Sequence, residues 1–234
     1  MTKLTDNIPM EHKISRQFKL WERTYKKVTI GDKKQIVPSI SISSELGSRG
    51  DELASSVAES LGWELFDKQL VDYIAEHAHV QKHMVEMFDE RTQNEIHNWV
   101  LTLLDNRALG SDKYYKHLVT ILRIISEHGQ AVVLGRGGHL ILPHSRTLKI
   151  RTISPIEKRI TQVAQKNSLS RKEATDLIIQ SDKEKRSFIK RFYHSDWDSP
   201  YYHDIILNLG LISLDLGREI IYAALKKKFP DIPT

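Results

Sequence analysis

The 234-residue sequence has no cysteine, which excludes disulfides and thiolate-bound zinc from its chemistry. It also lacks any apolar run near the roughly twenty residues that a membrane-spanning helix needs. The first fifteen residues carry charges and no apolar core of a secretory leader, so a cytoplasmic location is expected. No H-E-x-x-H pattern occurs, and no serine, histidine and acid arrangement points to a hydrolase. Internal repeats and low-complexity tracts are absent too. What remains is an ordinary globular composition, 40% hydrophobic and 28% charged, long enough for one sizeable α/β domain with an extension.

The formal charge of +5 is unevenly placed. Residues 1–36 carry nine basic against four acidic side chains, residues 51–112 four against thirteen, and residues 147–195 twelve against five. A concentrated basic region in an otherwise neutral body suits a phosphate-bearing ligand, although a solvated helix face has the same composition. Nucleic acid is the weaker expectation, because no recognition motif accompanies the basic stretches.

Residues 1–35 read as a basic extension. Ile14, Phe18, Trp21 and Tyr25 form one stripe of an amphipathic helix over Glu11–Lys27, able to dock on its own domain, on a partner subunit, or on an acidic surface or membrane. Residues 36–234 read as the main domain. Strands are expected at Ile36–Ser43, Ala131–Leu134, Thr147–Ile153 and Asp204–Asn208, with a short fifth at Glu64–Phe66. In the third of these, Leu148, Ile150 and Thr152 alternate with charged residues. Helices are expected over Asp51–Leu61, stopped by Gly62, over Lys68–Leu109 in two or three pieces, and over Ser213–Lys228. Capping boxes are expected at Ser154, with Pro155 as first helical residue, and at Ser170. Alternating strands and helices predict a three-layer α/β domain, a parallel sheet flanked by helices.

In such a fold ligands sit beyond the carboxyl ends of strands. The turn Ser44-Glu45-Leu46-Gly47-Ser48-Arg49-Gly50 lies there, between the first strand and first helix, where backbone amides and a helix dipole favour an anion. Against the pattern G-x-x-x-x-G-K-[ST], Ser44 stands at the first glycine, Arg49 at the second, Gly50 at the lysine and Asp51 at the hydroxyl. Arg49 is the candidate compensating charge. His79 and His83 sit at i, i+4, a spacing that also fits polar helix positions, so metal ligands remain unknown. Trp197, Tyr201 and Tyr202 form an aromatic cluster whose simplest role is packing.

Four segments resemble the cytidylate kinase-like family. Ile40 to Gly50 is similar to its I-S-R-E-x-G-S-G-G opening, and Leu65-Phe66-Asp67-Lys68-Gln69-Leu70 to its y-D-k-e-l segment. Val132 to Gly138 is similar to its v-G-R-g strand end, and Asp196 to Asn208 to its W-x-D-p-x-x-Y-D-l-v-l-N ending. The resemblance covers roughly residues 36–228 and implies a P-loop kinase architecture, with a helical acceptor-binding insertion at about 67–128 and a lid at about 170–195. It implies ATP and Mg2+ as cofactors and a nucleotide or small phosphorylated ligand as partner. The donor phosphates would be cradled by Ser44, Glu45, Gly47, Ser48, Arg49, Gly50 and Asp51. Asp67, Arg136 and Arg159 would serve the acceptor, and Arg49, Arg136, Arg186 and Arg191 the transfer itself. The departures are equally specific. The loop lysine and metal hydroxyl are missing, and Leu134 stands at the strand end where an aspartate would help hold magnesium. Two functions are therefore expected: ATP-dependent phosphoryl transfer to a nucleoside monophosphate or related acceptor, or a catalytically impaired nucleotide-binding module that keeps the fold.

Overall fold

The computed structural model describes residues 37–105 and 112–231. The expected amphipathic helix over Glu11–Lys27 lies outside the described residues. Among those described, five strands form one sheet: β1 (Ser39–Ser44), β2 (Glu64–Phe66), β3 (Ala131–Leu134), β4 (Thr147–Ile153) and β5 (Ile205–Asn208). Every pairing is parallel and the order is β2-β3-β1-β4-β5, with Ile40 opposite Val132 on one side and Leu148 on the other. β1 begins after Pro38, which has no amide to give a ladder.

The Ser-Ile alternation of β1 sorts the two faces. Ile40 and Ile42 are fully buried and join Val132, Leu148, Ile150 and Leu207 in one core. Helices α1 (Gly50–Leu61) and α9 (Leu214–Lys228) close it with Leu53, Val57, Ile221 and Leu225. The serines face the other way, where the short α6 (Gly138–Ile141) approaches closely. That second core is built by Ala131 and Val133 with α2 (Lys68–Glu76), α3 (Ala78–Glu86), α4 (Glu90–Asp105) and α5 (Lys113–His128). α5 is buried along most of its length, with Leu118, Ile121, Leu122 and Ile125 inaccessible. The expected long helical stretch thus divides into three helices before α5. The first break is at His77, whose ring stacks on Tyr73 at 3.9 Å and whose backbone leaves the helical region.

A helical hairpin, α7 (Ile156–Asn167) and α8 (Arg171–Tyr193), has its own small core of Ile160, Val163, Ala174 and Ile178. The capping box at Ser170 forms as expected, with its hydroxyl and Glu173 exchanging bonds. The one expected at Ser154 does not. Pro155 takes the cap position without a side-chain bond. The Ser154 amide donates instead to Glu45 Oε2 at 3.2 Å, and Glu157 pairs with Arg171, so the two groups that would form the carboxylate-to-amide half of the box are engaged elsewhere. Arg151, one of the charged residues that alternate along β4, is buried, its guanidinium 4.5 Å from the Trp197 ring. The architecture is a three-layer α/β fold, a parallel sheet flanked by helices, and no helix among the described residues is long and apolar enough to cross a membrane.

His128 and His139 are buried and His203 is half-buried, and for each burial disfavours the charged form. Burial holds His128 down at about 4, against the raising influence of the Gly129 carbonyl. His139 and His203 stack at 4.5 Å; burial and the nearby Arg151 and Lys149 charges put His203 at about 4 and His139 well below its ordinary value. Because the folded values lie below 6.5, the unfolded chain binds protons first. Stability is therefore full above pH 6.5 and is lost as the pH falls toward 4. Urea unfolding across that window should show a falling midpoint, with His128 contributing up to about 3 kcal/mol. His128→Gln should flatten the slope.

Candidate functional site

Residues Ser44–Gly50 wrap from the end of β1 into α1. Gly47 and Arg49 adopt left-handed conformations, φ 80° and 64°, and Arg49 is the cap residue of α1. The Ser48 hydroxyl is buried and donates to the Glu45 carbonyl at 2.8 Å, lying 3.1 Å from the Ser44 and Thr152 hydroxyls. This internal lacing fixes the loop and leaves the first amides of α1 directed beyond the strand ends, the geometry that favours anions. A side chain at Gly50 would collide with Thr152 Oγ1 and Ser44 Oγ. The loop's own charges turn away. Arg49 lies along α1, bonded to Glu52 at 2.9 and 3.1 Å. Asp51 pairs with Lys166 at 2.5 Å; burial pushes its carboxyl up, but the Lys166 ammonium and nearby amides bring it below the ordinary value.

The α7–α8 hairpin supplies a second layer of charge. Buried Arg159 donates Nε to the Leu46 carbonyl at 2.7 Å and Nη2 to both oxygens of Asp182 at 2.8 and 2.9 Å. Its Nη1 is 3.6 Å from Glu45. Arg151 reaches the same carboxylate at 3.7 Å, donates to the Trp197 carbonyl and to Asp198 at 3.2 Å, and lies 4.5 Å from the Trp197 ring. Glu45 therefore sits between two arginines rather than facing the loop interior. Arg186 bonds Asp198 at 2.7 Å, and against partial desolvation Arg186 and Arg151 together bring that exposed carboxyl below its ordinary value. Lys185, half-buried on α8, donates Nζ to the Ser44 carbonyl at 2.8 Å and lies 5.7 Å from the Trp197 ring. Burial pulls its ammonium down to about 8, against the raising influence of Asp182 and Glu45.

A third element follows β3. Gly135, Arg136 and Gly137 are all left-handed, at φ 83°, 52° and 70°. The middle one is a non-glycine residue held there by its surroundings. The Arg136 guanidinium pairs with Asp72 of α2 and lies 4.8 Å from the Phe188 ring, and its carbonyl accepts from Tyr193 Oη at 2.5 Å. Tyr114 donates to the same Asp72 at 2.8 Å, and burial pushes its hydroxyl far above the ordinary phenol value. Arg136 Nε is buried with no partner among the described residues.

The structure brings Ser44, Glu45, Gly47, Ser48 and Gly50 together with Arg159 and Arg186, and places Arg136 at the end of the adjacent strand. It separates others. Asp67 caps α2, accepting from the Leu70 amide at 2.9 Å. Arg191 is exposed and pairs at 3.3 Å with Asp112, the cap of α5. Tyr201 is exposed, whereas Trp197 is buried beneath the cations. Three participants escape sequence reasoning: Lys185, Arg151 and Asp72. Lys185 follows Asp182 by three residues and so shares its helix face, a signal masked by the many basic neighbours.

The residues present do not fit a magnesium ion held by side chains. Glu45 and Asp51 are engaged by cations, Leu134 ends β3, and the described residues contain no cluster of three metal-ligating side chains. The His79 side chain lies outside those described.

Comparison with known proteins adds the following. The profile of the cytidylate kinase-like family matches residues 39–210. A uronate isomerase from Corynebacterium glutamicum is 27% identical over 126 residues, 53% of this chain and 24% of that protein, so the chain spans less than a quarter of that relative's length. The crystal structure of an uncharacterized protein from Eubacterium ventriosum aligns with 81% of this chain and 98% of its own, at a TM-score of 0.61 and 17% identity. A shikimate kinase from Bacteroides thetaiotaomicron covers the same shares at a TM-score of 0.43 and 13% identity.

The Arg159–Asp182 pair generates a stability prediction. Asp182→Ala leaves a buried guanidinium without its main partner and should cost about 3–5 kcal/mol in urea unfolding. The double variant Arg159→Met, Asp182→Leu should recover at least half of that loss, since replacing both charges removes the desolvation penalty as well.

Proposed function

The chain belongs to the cytidylate kinase-like family, and from that membership we propose that it binds the phosphates of ATP at Ser44–Gly50 and transfers a phosphoryl group to a nucleoside monophosphate or related phosphate acceptor beside Arg136. The observation that carries this reading is the convergence of three elements at the carboxyl ends of β1, β3 and β4: the laced loop, the strained Gly135–Gly137 turn and the cationic α7–α8 hairpin. In this reading α2–α5 form the acceptor-binding insertion and α7–α8 the lid.

Phosphoryl transfer asks the protein for placement and charge neutralisation more than for covalent chemistry. An acceptor phosphate oxygen forms a bond to the terminal phosphorus of the donor while the bond to the bridging oxygen breaks, and the electron pair leaves on the diphosphate. Loop amides hold the donor. Arg136, already oriented by Asp72 and Phe188, would bind the acceptor phosphate through its planar guanidinium. The seated hairpin excludes water that would otherwise hydrolyse the donor.

A second reading is favoured by a specific observation. Gly50 leaves no room for a loop lysine, and Asp51 is committed to Lys166, so the catalytic parts of a standard phosphate loop are absent together. The chain would then bind nucleotide without transferring phosphate.

One pair of measurements separates the readings. Thermal unfolding with ATP, with and without magnesium, reports binding; incubation with ATP and a panel of nucleoside monophosphates reports transfer. Stabilisation with product formation supports the kinase, stabilisation without product supports the binding module, and neither outcome sinks both. For an active acceptor, Arg136→Gln should raise KM about 10- to 100-fold while the ATP-induced thermal shift persists.

A further inference from the structure

We infer that Lys185, carried by α8 rather than by the loop, is the cation that neutralises the terminal phosphates of a nucleoside triphosphate at Ser44–Gly50, so that a tight phosphate site exists only while the hairpin is seated. The inference rests on the nucleotide-binding reading above and deepens it.

The loop cannot supply this charge itself. A side chain at Gly50 would run into Thr152 Oγ1 and Ser44 Oγ, and Arg49 is bonded along α1 to Glu52. The other cations over the loop are already matched. Arg159 is gripped by both oxygens of Asp182, and Arg151 and Arg186 share Asp198. Lys185 differs. Among the described residues its ammonium makes no ion pair; it gives one hydrogen bond to the carbonyl of Ser44, where the loop begins, and faces the Trp197 ring. An ammonium has three donors, so two remain for an incoming anion. Burial has already stripped it of water and weakened its charged form, a deficit that phosphate oxygens would repair. Its aim is set in advance: one turn earlier on α8, Asp182 is locked to Arg159, which is locked to the Leu46 carbonyl. The amine therefore reaches the loop only with the hairpin in place.

The test is equilibrium binding of ATP and of inorganic triphosphate, without divalent cations, to the full chain and to Lys185→Gln and Lys185→Arg. Thermal midpoints would establish that both variants are folded. Lys185→Gln should lose about tenfold or more in affinity for both ligands, and Lys185→Arg should keep most of it. Wild-type affinity should fall as the pH rises past about 8, because the free amine cannot neutralise phosphate. That limb should vanish in Lys185→Arg, whose guanidinium stays charged. Wild-type binding with no loss in Lys185→Gln, or an equal loss in both variants, would overturn the role of Lys185 and leave nucleotide binding standing. If the wild type binds neither ATP nor triphosphate, the nucleotide-binding reading fails and this inference falls with it.

Discussion

One guanidinium holds the site together. Arg159 joins the loop through the Leu46 carbonyl, joins α8 through Asp182, and helps confine Glu45, which in turn takes the Ser154 amide at the start of α7. Three segments far apart in sequence meet on this side chain. Removing such a charge from water is expensive, and only near-complete hydrogen bonding makes the position tolerable. A lysine would not substitute, since a single ammonium cannot present planar parallel donors to a carboxylate and a third to a carbonyl. The orientation of the hairpin, and hence of every cation on it, follows from this one buried arrangement.

The same constraint makes α8 a rigid connection between two regions. Its middle turns carry Asp182 and Lys185 over the loop; Phe188 lies about 4.5 Å further along the axis and covers Arg136, and Tyr193 holds the Arg136 carbonyl. A helix packed at both ends moves as a body. Displacing Lys185 from Ser44 therefore also disturbs the surroundings of Arg136. The first half of α8 belongs to the small hairpin core, and Ile189, Phe192 and Tyr193 belong to the core shared by β3 and α2–α5.

Much of the fold was legible because its signals are local. The Ser-Ile alternation marked β1, and Gly62 and Ser170 marked helix ends that depend only on nearby residues. The failures share a cause in tertiary context. Ser154 and Glu157 have the letters of a capping box, but their bonding groups are claimed by Glu45 and Arg171, 109 and 14 residues away. Arg151 gives no sign in the sequence of its contact with Trp197, 46 residues on. The loop was recognisable from its glycines and position, whereas Lys185 reaches it across 141 residues, a contact that no spacing within the chain reveals. Asp72 was hidden for the same reason, since its partner Arg136 lies 64 residues on.

The packing at Gly137 bears on how this chain can change. A β-carbon there would clash with the edge of the Tyr193 ring, at Cε2 and Cζ, and the backbone is left-handed. Tyr193 in turn is fixed by its bond to the Arg136 carbonyl and by its edge contact with Tyr115. A substitution at 137 is thus harmful on the present background whatever its chemistry, yet it becomes less so once position 193 has lost its ring. The two sites are epistatic. Drift at one is closed until the other has moved, and the turn that presents Arg136 is sheltered by a pair of residues that change in concert or stay as they are.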